Sequence, residues 1–137
     1  MPIILLSGRP NTGKTTTINL VYEKLRELKA SIIKEKKQLG NNEMDFKAVL
    51  QHQNKIIAIY SMGDNHRFCE RAVKTYNNCD FLILAYSAKI TSKCKLYNII
   101  AKDSKNCIID KTIDNTDESH RAIANLKDAT TIISEIK

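Results

Sequence analysis

The sequence predicts an α/β fold in three layers, a mostly parallel sheet carrying one antiparallel hairpin strand, with helices on both faces. Three observations predict it. Short apolar runs alternate with segments of helical periodicity; one pair of extended segments is joined by only three residues; and the first apolar run passes through a glycine-containing loop straight into an amphipathic stretch.

The elements follow in order. Residues 3–7 read as a buried strand, and residues 15–28 as a helix with Ile18, Val21, Tyr22, Leu25 and Leu28 on one face. The basic stretch 29–37, "KASIIKEKK", contains Glu35 and no stacking aromatic and reads as solvated surface. Residues 38–43, "QLGNNE", with one Gly and two Asn, read as a mobile loop. Residues 45–51 and 55–60 are extended segments separated by "HQN", hence a hairpin. Gly63 and Asp64 mark the entrance to a helix over 65–76, where Phe68, Cys69, Ala72, Val73 and Tyr76 recur at helical spacing. A buried strand over 81–86, a helix over 92–102 and a strand over 106–109 come next. In the C-terminal helix Ala122, Leu126, Ala129, Ile133 and Ile136 form the expected apolar stripe, weakened locally by Thr130 and Thr131. Such a sheet carries ligand chemistry at the carboxyl ends of its strands.

Composition narrows the classes of function. The 137 residues are expected to form one domain, 1–137, without room for a separate substrate domain. The longest strongly apolar run, "FLILAY" at 81–86, is far short of the ~20 residues of a membrane span. The first residues lack a basic leader, and their apolar stretch is too short for the core of a signal peptide, so a cytoplasmic location and no membrane partner are expected. The net charge of +7 comes mainly from Lys scattered along the chain, which favours a solvated surface over a nucleic-acid interface. Cys69, Cys79, Cys94 and Cys107 lack zinc or dithiol spacing and read as small buried apolar side chains; His52, His66 and His120 are isolated.

The chemistry lies in "SGRPNTGKTTT", residues 7–17. Gly8, Gly13, Lys14 and Thr15 match G-x-x-x-x-G-K-[ST], the Walker A motif, between an apolar strand and an amphipathic helix. A loop of this length wraps its N–H groups around phosphates while the helix N-terminus adds partial positive charge. Residues Gly8, Arg9, Pro10, Asn11, Thr12, Gly13, Lys14, Thr15 and Thr16 are therefore the expected phosphate cradle. Lys14 reaches the β- and γ-phosphates, the Thr15 hydroxyl ligates Mg²⁺, and the forked guanidinium of Arg9 suits phosphate oxygens. A plain Gly turn with a Thr cap needs neither the Lys nor a four-residue insert between the glycines.

Chemistry beyond binding requires a carboxylate near the metal. Asp64, following an apolar strand and Gly63, is the preferred choice, joining Thr15 at the metal and Lys14 in catalysis; its plainer role is a helix N-cap. Asp45 opens the hairpin and reads as a solvated strand end, or as a loop group able to fold over a nucleotide. Asp80 precedes its strand, at the wrong edge. Asp110 follows a farther strand, where the base is held, and with Lys111 forms the expected base contact.

Two resemblances extend this reading. "GRPNTGKTTTINL" resembles the first motif of Era-type GTPases, G-R-P-N-V-G-K-S-T-L, and the hairpin leading to a glycine-containing strand end resembles their switch region. The D-x-x-G position of that family reads Tyr60, Ser61, Met62, Gly63, without the first Asp; the N-K-x-D position reads "DKTID", 110–114, without the Asn and with the last Asp displaced by one. The chain also resembles small bacterial P-loop proteins, an ATP-binding, ATPase-like group, with N-[TS]-G-K-T-T-T, an S-x-G-D segment and a C-D pair before a buried strand. Here these are "NTGKTTT", Ser61 to Asp64, and Cys79 with Asp80. The resemblance implies a P-loop NTPase fold, ATP as ligand and Mg²⁺ as cofactor. The expected function is a weak or partner-stimulated NTPase, since no Gln, His or Arg finger is identifiable. The alternatives are a divergent Era-like GTPase that reads the base with "DKTID", a non-catalytic nucleotide-sensing module whose loop 38–43 and hairpin change order for a protein partner, and a small-molecule kinase.

Overall fold

The computed structural model describes residues 1–9, 12–62, 66–87 and 95–136, leaving aside the side chains of residues 66, 95 and 96. Its elements are β1 (Ile3–Gly8), α1 (Lys14–Glu27), β2 (Ser31–Gln38), β3 (Phe46–His52), β4 (Lys55–Tyr60), α2 (His66–Thr75), β5 (Phe81–Ser87), α3 (Lys95–Lys102), β6 (Cys107–Asp110) and α4 (Glu118–Ser134). The starts of the predicted helices, at 65 and at 92–94, lie outside the described residues.

The six strands form one sheet in the order β2-β3-β4-β5-β1-β6. β1 pairs in parallel with β5 and β6, and β5 in parallel with β4, whereas β3 is antiparallel to both β4 and β2. β3 thus runs against the other five strands. The β3–β4 hairpin closes through Gln53 and Asn54 at φ 50° and 64°. Two consecutive left-handed residues match the twist of the flanking strands, and Asn tolerates that conformation.

Alternation along the strands sorts side chains onto two faces. On one, Ile4, Leu6, Ile57, Ile59, Ile83 and Ala85 pack with Ile18, Val21 and Leu25 of α1 and Ala129 and Ile132 of α4. On the other, Leu5, Ala58, Leu82 and Leu84 meet Cys69, Ala72 and Tyr76 from the α2 side and Ile100 of α3. Each fully buried Leu or Ile contributes about 1.5–3 kcal/mol before conformational entropy is subtracted. The central strands β1 and β5, covered on both faces, read as continuous apolar runs for this reason.

Three parts of the sequence reading are corrected. From residue 31 the stretch 29–37 is solvated as expected, but there it belongs to an edge strand, β2, whose eight residues are all exposed; it is held by backbone pairing to β3, so no apolar alternation marks it. The connection after it is a hydrogen-bonded turn rather than a slack loop: Leu39 N donates to Asp45 O at 2.8 Å, Asp45 N to Asn42 O at 3.1 Å and Met44 N to Asn42 Oδ1 at 2.9 Å. Of the expected α4 stripe, Ala129, Ile133 and Ile136 pack on the core, whereas Ala122 and Leu126 are exposed and Ala124, Asp128 and Ile132 are buried instead, because a buried carboxylate occupies a core position that hydrophobic patterning assigns to an apolar residue.

Candidate functional site

β1 delivers Gly8 to the carboxyl edge of the sheet, and α1 begins six residues later. Gly13, at the N-cap, has φ +92°, and a Cβ there would stand 2.6 Å from Asn125 Oδ1, so glycine is required both by conformation and by the close approach of α4. A Cβ on Gly8 would meet Lys111 Cβ at 2.9 Å. The loop is therefore pressed from behind by α4 and by the chain leaving β6.

Gly13, at the N-cap, has no side chain to cap α1, and the first turn of the helix holds no acidic residue. By contrast α4 is capped by Asp117, whose Oδ1 accepts from His120 N at 2.8 Å. An uncapped helix start leaves N–H donors directed at the loop mouth, the arrangement that binds anions. Lys14, only 7% exposed, donates from Nζ to Gly8 O at 2.9 Å and to Arg9 O at 2.7 Å, which draws its ammonium across the loop. Thr12 Oγ1 donates to Arg9 O at 2.7 Å and closes the other side; Arg9 and Thr16 are exposed. Pro10 and Asn11 lie outside the described residues.

Beside this cradle sits a group of oxygens. Thr15 Oγ1 donates to Asp45 Oδ1 at 3.2 Å, Ser61 Oγ donates to the same oxygen at 3.4 Å, and Ser61 Oγ accepts from Phe46 N at 2.8 Å. Asp45 is 7% exposed, so it is not a solvated strand end. The antiparallel hairpin explains its position: β3 starts where β4 ends, which returns Asp45 to the same sheet edge as Ser61. Asn19 fixes the approach from α1, its Nδ2 donating to Thr15 O and to Met44 O, both at 2.9 Å. Gly63 and Asp64, the sequence-stated metal carboxylate among them, lie outside the described residues. β5 separates β4 from β1, so the strand end leading to residue 64 is two strand spacings, about 9–10 Å, from the end of β1.

The donors near Thr15 are hard oxygens, which suit Mg²⁺. Among the described residues no group of three or more His, Cys, Asp or Glu is placed to hold a metal ion.

On the opposite flank, a cavity of about 380 Å³ opens between Thr12, Gly13 and Thr16 and a wall made by Thr112 to Asn115 with Glu118, Arg121 and Asn125 of α4. Asp110 and Lys111, expected at a base, do not line this cavity. Asp110 is exposed at the end of β6, opposite Ser7. Lys111 is turned inward, with Nζ 2.9 Å from Asp128 Oδ2 and donating to Thr112 O at 2.7 Å. Asp128 also accepts from Thr112 N and Thr112 Oγ1, each at 2.7 Å, so the pair braces the cavity wall from inside. Burial pushes the Asp128 carboxyl up, but the hydrogen bonds from Lys111 and Thr112 and the Lys111 charge together hold it below its usual value. Two acids line the cavity, Glu118 and Asp114, and the Asp114 carboxyl is held low by hydrogen bonds from the Thr116 hydroxyl and N–H.

Sequence reasoning named Ser61 only as part of the D-x-x-G position and the S-x-G-D segment, and missed Asn19, Asn125 and Asp128 as site-building residues. Only a polar residue on an otherwise apolar helix face, as at Asn19 and Asp128, could have marked them. Asp80 sits at the far edge as expected, its Oδ2 accepting from Ile56 N at 2.7 Å. Cys69 is buried, whereas Cys79 and Cys107 are half-buried, with thiols pushed up chiefly by burial; Cys94 lies outside the described residues. No helix among the described residues is long and apolar enough to cross a membrane. No family model matches the chain, and no similar curated protein or solved structure is found.

Proposed function

We propose that this chain is a P-loop protein that binds Mg·ATP through its Walker A loop and acts as a weak or partner-stimulated nucleoside triphosphatase. The observation that carries the reading is the start of α1: an uncapped helix N-terminus behind G-x-x-x-x-G-K-T, with the Lys14 ammonium drawn over the loop by two backbone carbonyls. In this reading Lys14 exchanges those carbonyls for β- and γ-phosphate oxygens, and the first-turn N–H groups of α1 hold the β-phosphate. Thr15 and Asp45 are the residues that would hold Mg²⁺, Thr15 directly and Asp45 directly or through water. When bound, the ion offsets charge on the β- and γ-oxygens. Ser61, hydrogen-bonded to the Asp45 carboxylate and to Phe46 N, keeps that carboxylate oriented. Weak catalysis is expected because the sequence offers no identifiable Gln, His or Arg finger to orient water or meet developing charge.

ATP is favoured by the likeness of "NTGKTTT" to the ATP-binding group and by the absence of the GTPase Asp at Tyr60. One observation supports GTP as a second reading: Asp114 lines the cavity beside Gly13, and a carboxylate there accepts from two adjacent N–H donors of guanine. Calorimetry tests both. Lys14→Ala is expected to abolish measurable Mg·ATP binding, and affinity equal to wild type would refute the cradle. A strong preference of the wild type for GTP would move the base assignment to Asp114, and phosphate release at the uncatalysed rate would leave a nucleotide sensor instead of an enzyme.

A further inference from the structure

We propose that the Ser87 hydroxyl contacts the terminal phosphate of the bound nucleotide, an inference that rests on the nucleotide reading above. Ser87 ends β5 and is fully buried, yet among the described residues its Oγ has no hydrogen-bond partner. A desolvated, unpaired hydroxyl is costly, and native folds keep few of them, so the group calls for a partner, which a bound ligand can supply.

Its position indicates what that partner is. In the parallel register Ser87 lies beside Gly8, whose carbonyl accepts from Lys14 Nζ. Strand alternation places Ser87 on the same face as Ile83 and Ala85, the face covered by α1, so the hydroxyl belongs to the cradle side of the sheet. Of the two neighbours of β1, β6 leads to the cavity lined by Asp114 and Asn115, whereas β5 lies towards β4 and the Thr15, Asp45 and Ser61 oxygens. A nucleotide whose β-phosphate sits in the loop and whose base occupies the cavity therefore directs its last phosphate to the β5 side. An anionic oxygen there accepts the hydrogen bond that Ser87 lacks. Ser87 then discriminates a triphosphate from a diphosphate.

The test compares Mg·ATP and Mg·ADP affinities by calorimetry in wild type, Ser87→Ala and Lys14→Ala, with thermal unfolding of each in the absence of nucleotide. Loss of a hydrogen bond to a charged oxygen is expected to weaken Mg·ATP binding by Ser87→Ala about tenfold or more, with Mg·ADP affinity unchanged. The unliganded variant is expected to unfold at the wild-type temperature or above it, since a methyl group replaces an unpaired hydroxyl. An unchanged ATP-to-ADP ratio, an equal loss for both nucleotides, or a variant that is destabilised or fails to fold would each overturn the proposal. If Lys14→Ala abolishes binding while Ser87→Ala keeps the wild-type ratio, the cradle stands and only the Ser87 contact fails. A wild type that binds neither nucleotide removes both.

Discussion

Replacing Asp128 with Ala tests how the 8–13 loop and the cavity wall are braced. The carboxylate meets the Lys111 ammonium at 2.9 Å, with the two side chains 4% and 0% exposed, and it also accepts from Thr112 N and Oγ1. Its removal leaves the buried Lys111 ammonium without a counter-charge, with Thr112 O as its remaining acceptor, and takes the acceptor from Thr112 N and Oγ1. Breaking a buried pair from one side costs about 3–5 kcal/mol. Urea unfolding at neutral pH should show that loss as a lower midpoint at unchanged slope. In a double-mutant cycle, Lys111→Met with Asp128→Leu should recover much of it, because two apolar side chains leave no stranded charge. The pH dependence has a definite sign. A carboxyl held below its unfolded-state value of about 3.9 contributes stability that is fully present above that value and lost as pH falls through the folded value. The gap between wild type and Asp128→Ala should therefore stay constant from about pH 7 to pH 5 and narrow below about pH 4. A loss under about 1 kcal/mol, additive behaviour in the cycle, or a gap that narrows as pH rises would refute this account.

Two more outcomes follow from the loop. Asp45→Asn should weaken Mg·ATP binding by about tenfold, roughly 1.4 kcal/mol, while leaving binding of ATP in excess chelator unchanged or tighter; wild-type dependence on Mg²⁺ would exclude Asp45 from the metal. Gly13→Ala places a Cβ at φ +92° and 2.6 Å from Asn125 Oδ1, and should destabilise the fold by at least ~1–3 kcal/mol in chemical unfolding, with part of the loss relieved by Asn125→Ala. Wild-type stability in the single variant would contradict the backbone geometry.

What was legible in the sequence was local. The strand, loop and helix around Gly8 to Thr15 announce themselves because a buried strand, a phosphate-type loop and an amphipathic face each follow from neighbours a few residues apart. The hairpin of β3 and β4 was equally clear, since only a short polar turn separates two extended runs. β2 was not legible, because a strand exposed along its whole length leaves no period-two burial pattern and is specified by the backbone of β3. The inward face of α4 was misjudged in part because Asp128 enters the core with its own partner.

The sequence by itself determined an α/β chain with a G-x-x-x-x-G-K-T loop at a strand end, because loop spacing and helix entry are written in consecutive residues. Only the tertiary structure decided which groups stand beside that loop. Strand order inserted β5 between β1 and β4 and brought Ser87 next to Gly8, and antiparallel pairing carried Asp45 to Thr15 across thirty positions of chain. The same folding turned Lys111 away from the cavity and towards Asp128. Such neighbours are set by burial and backbone pairing summed over the whole sheet, and no single stretch of sequence carries that information.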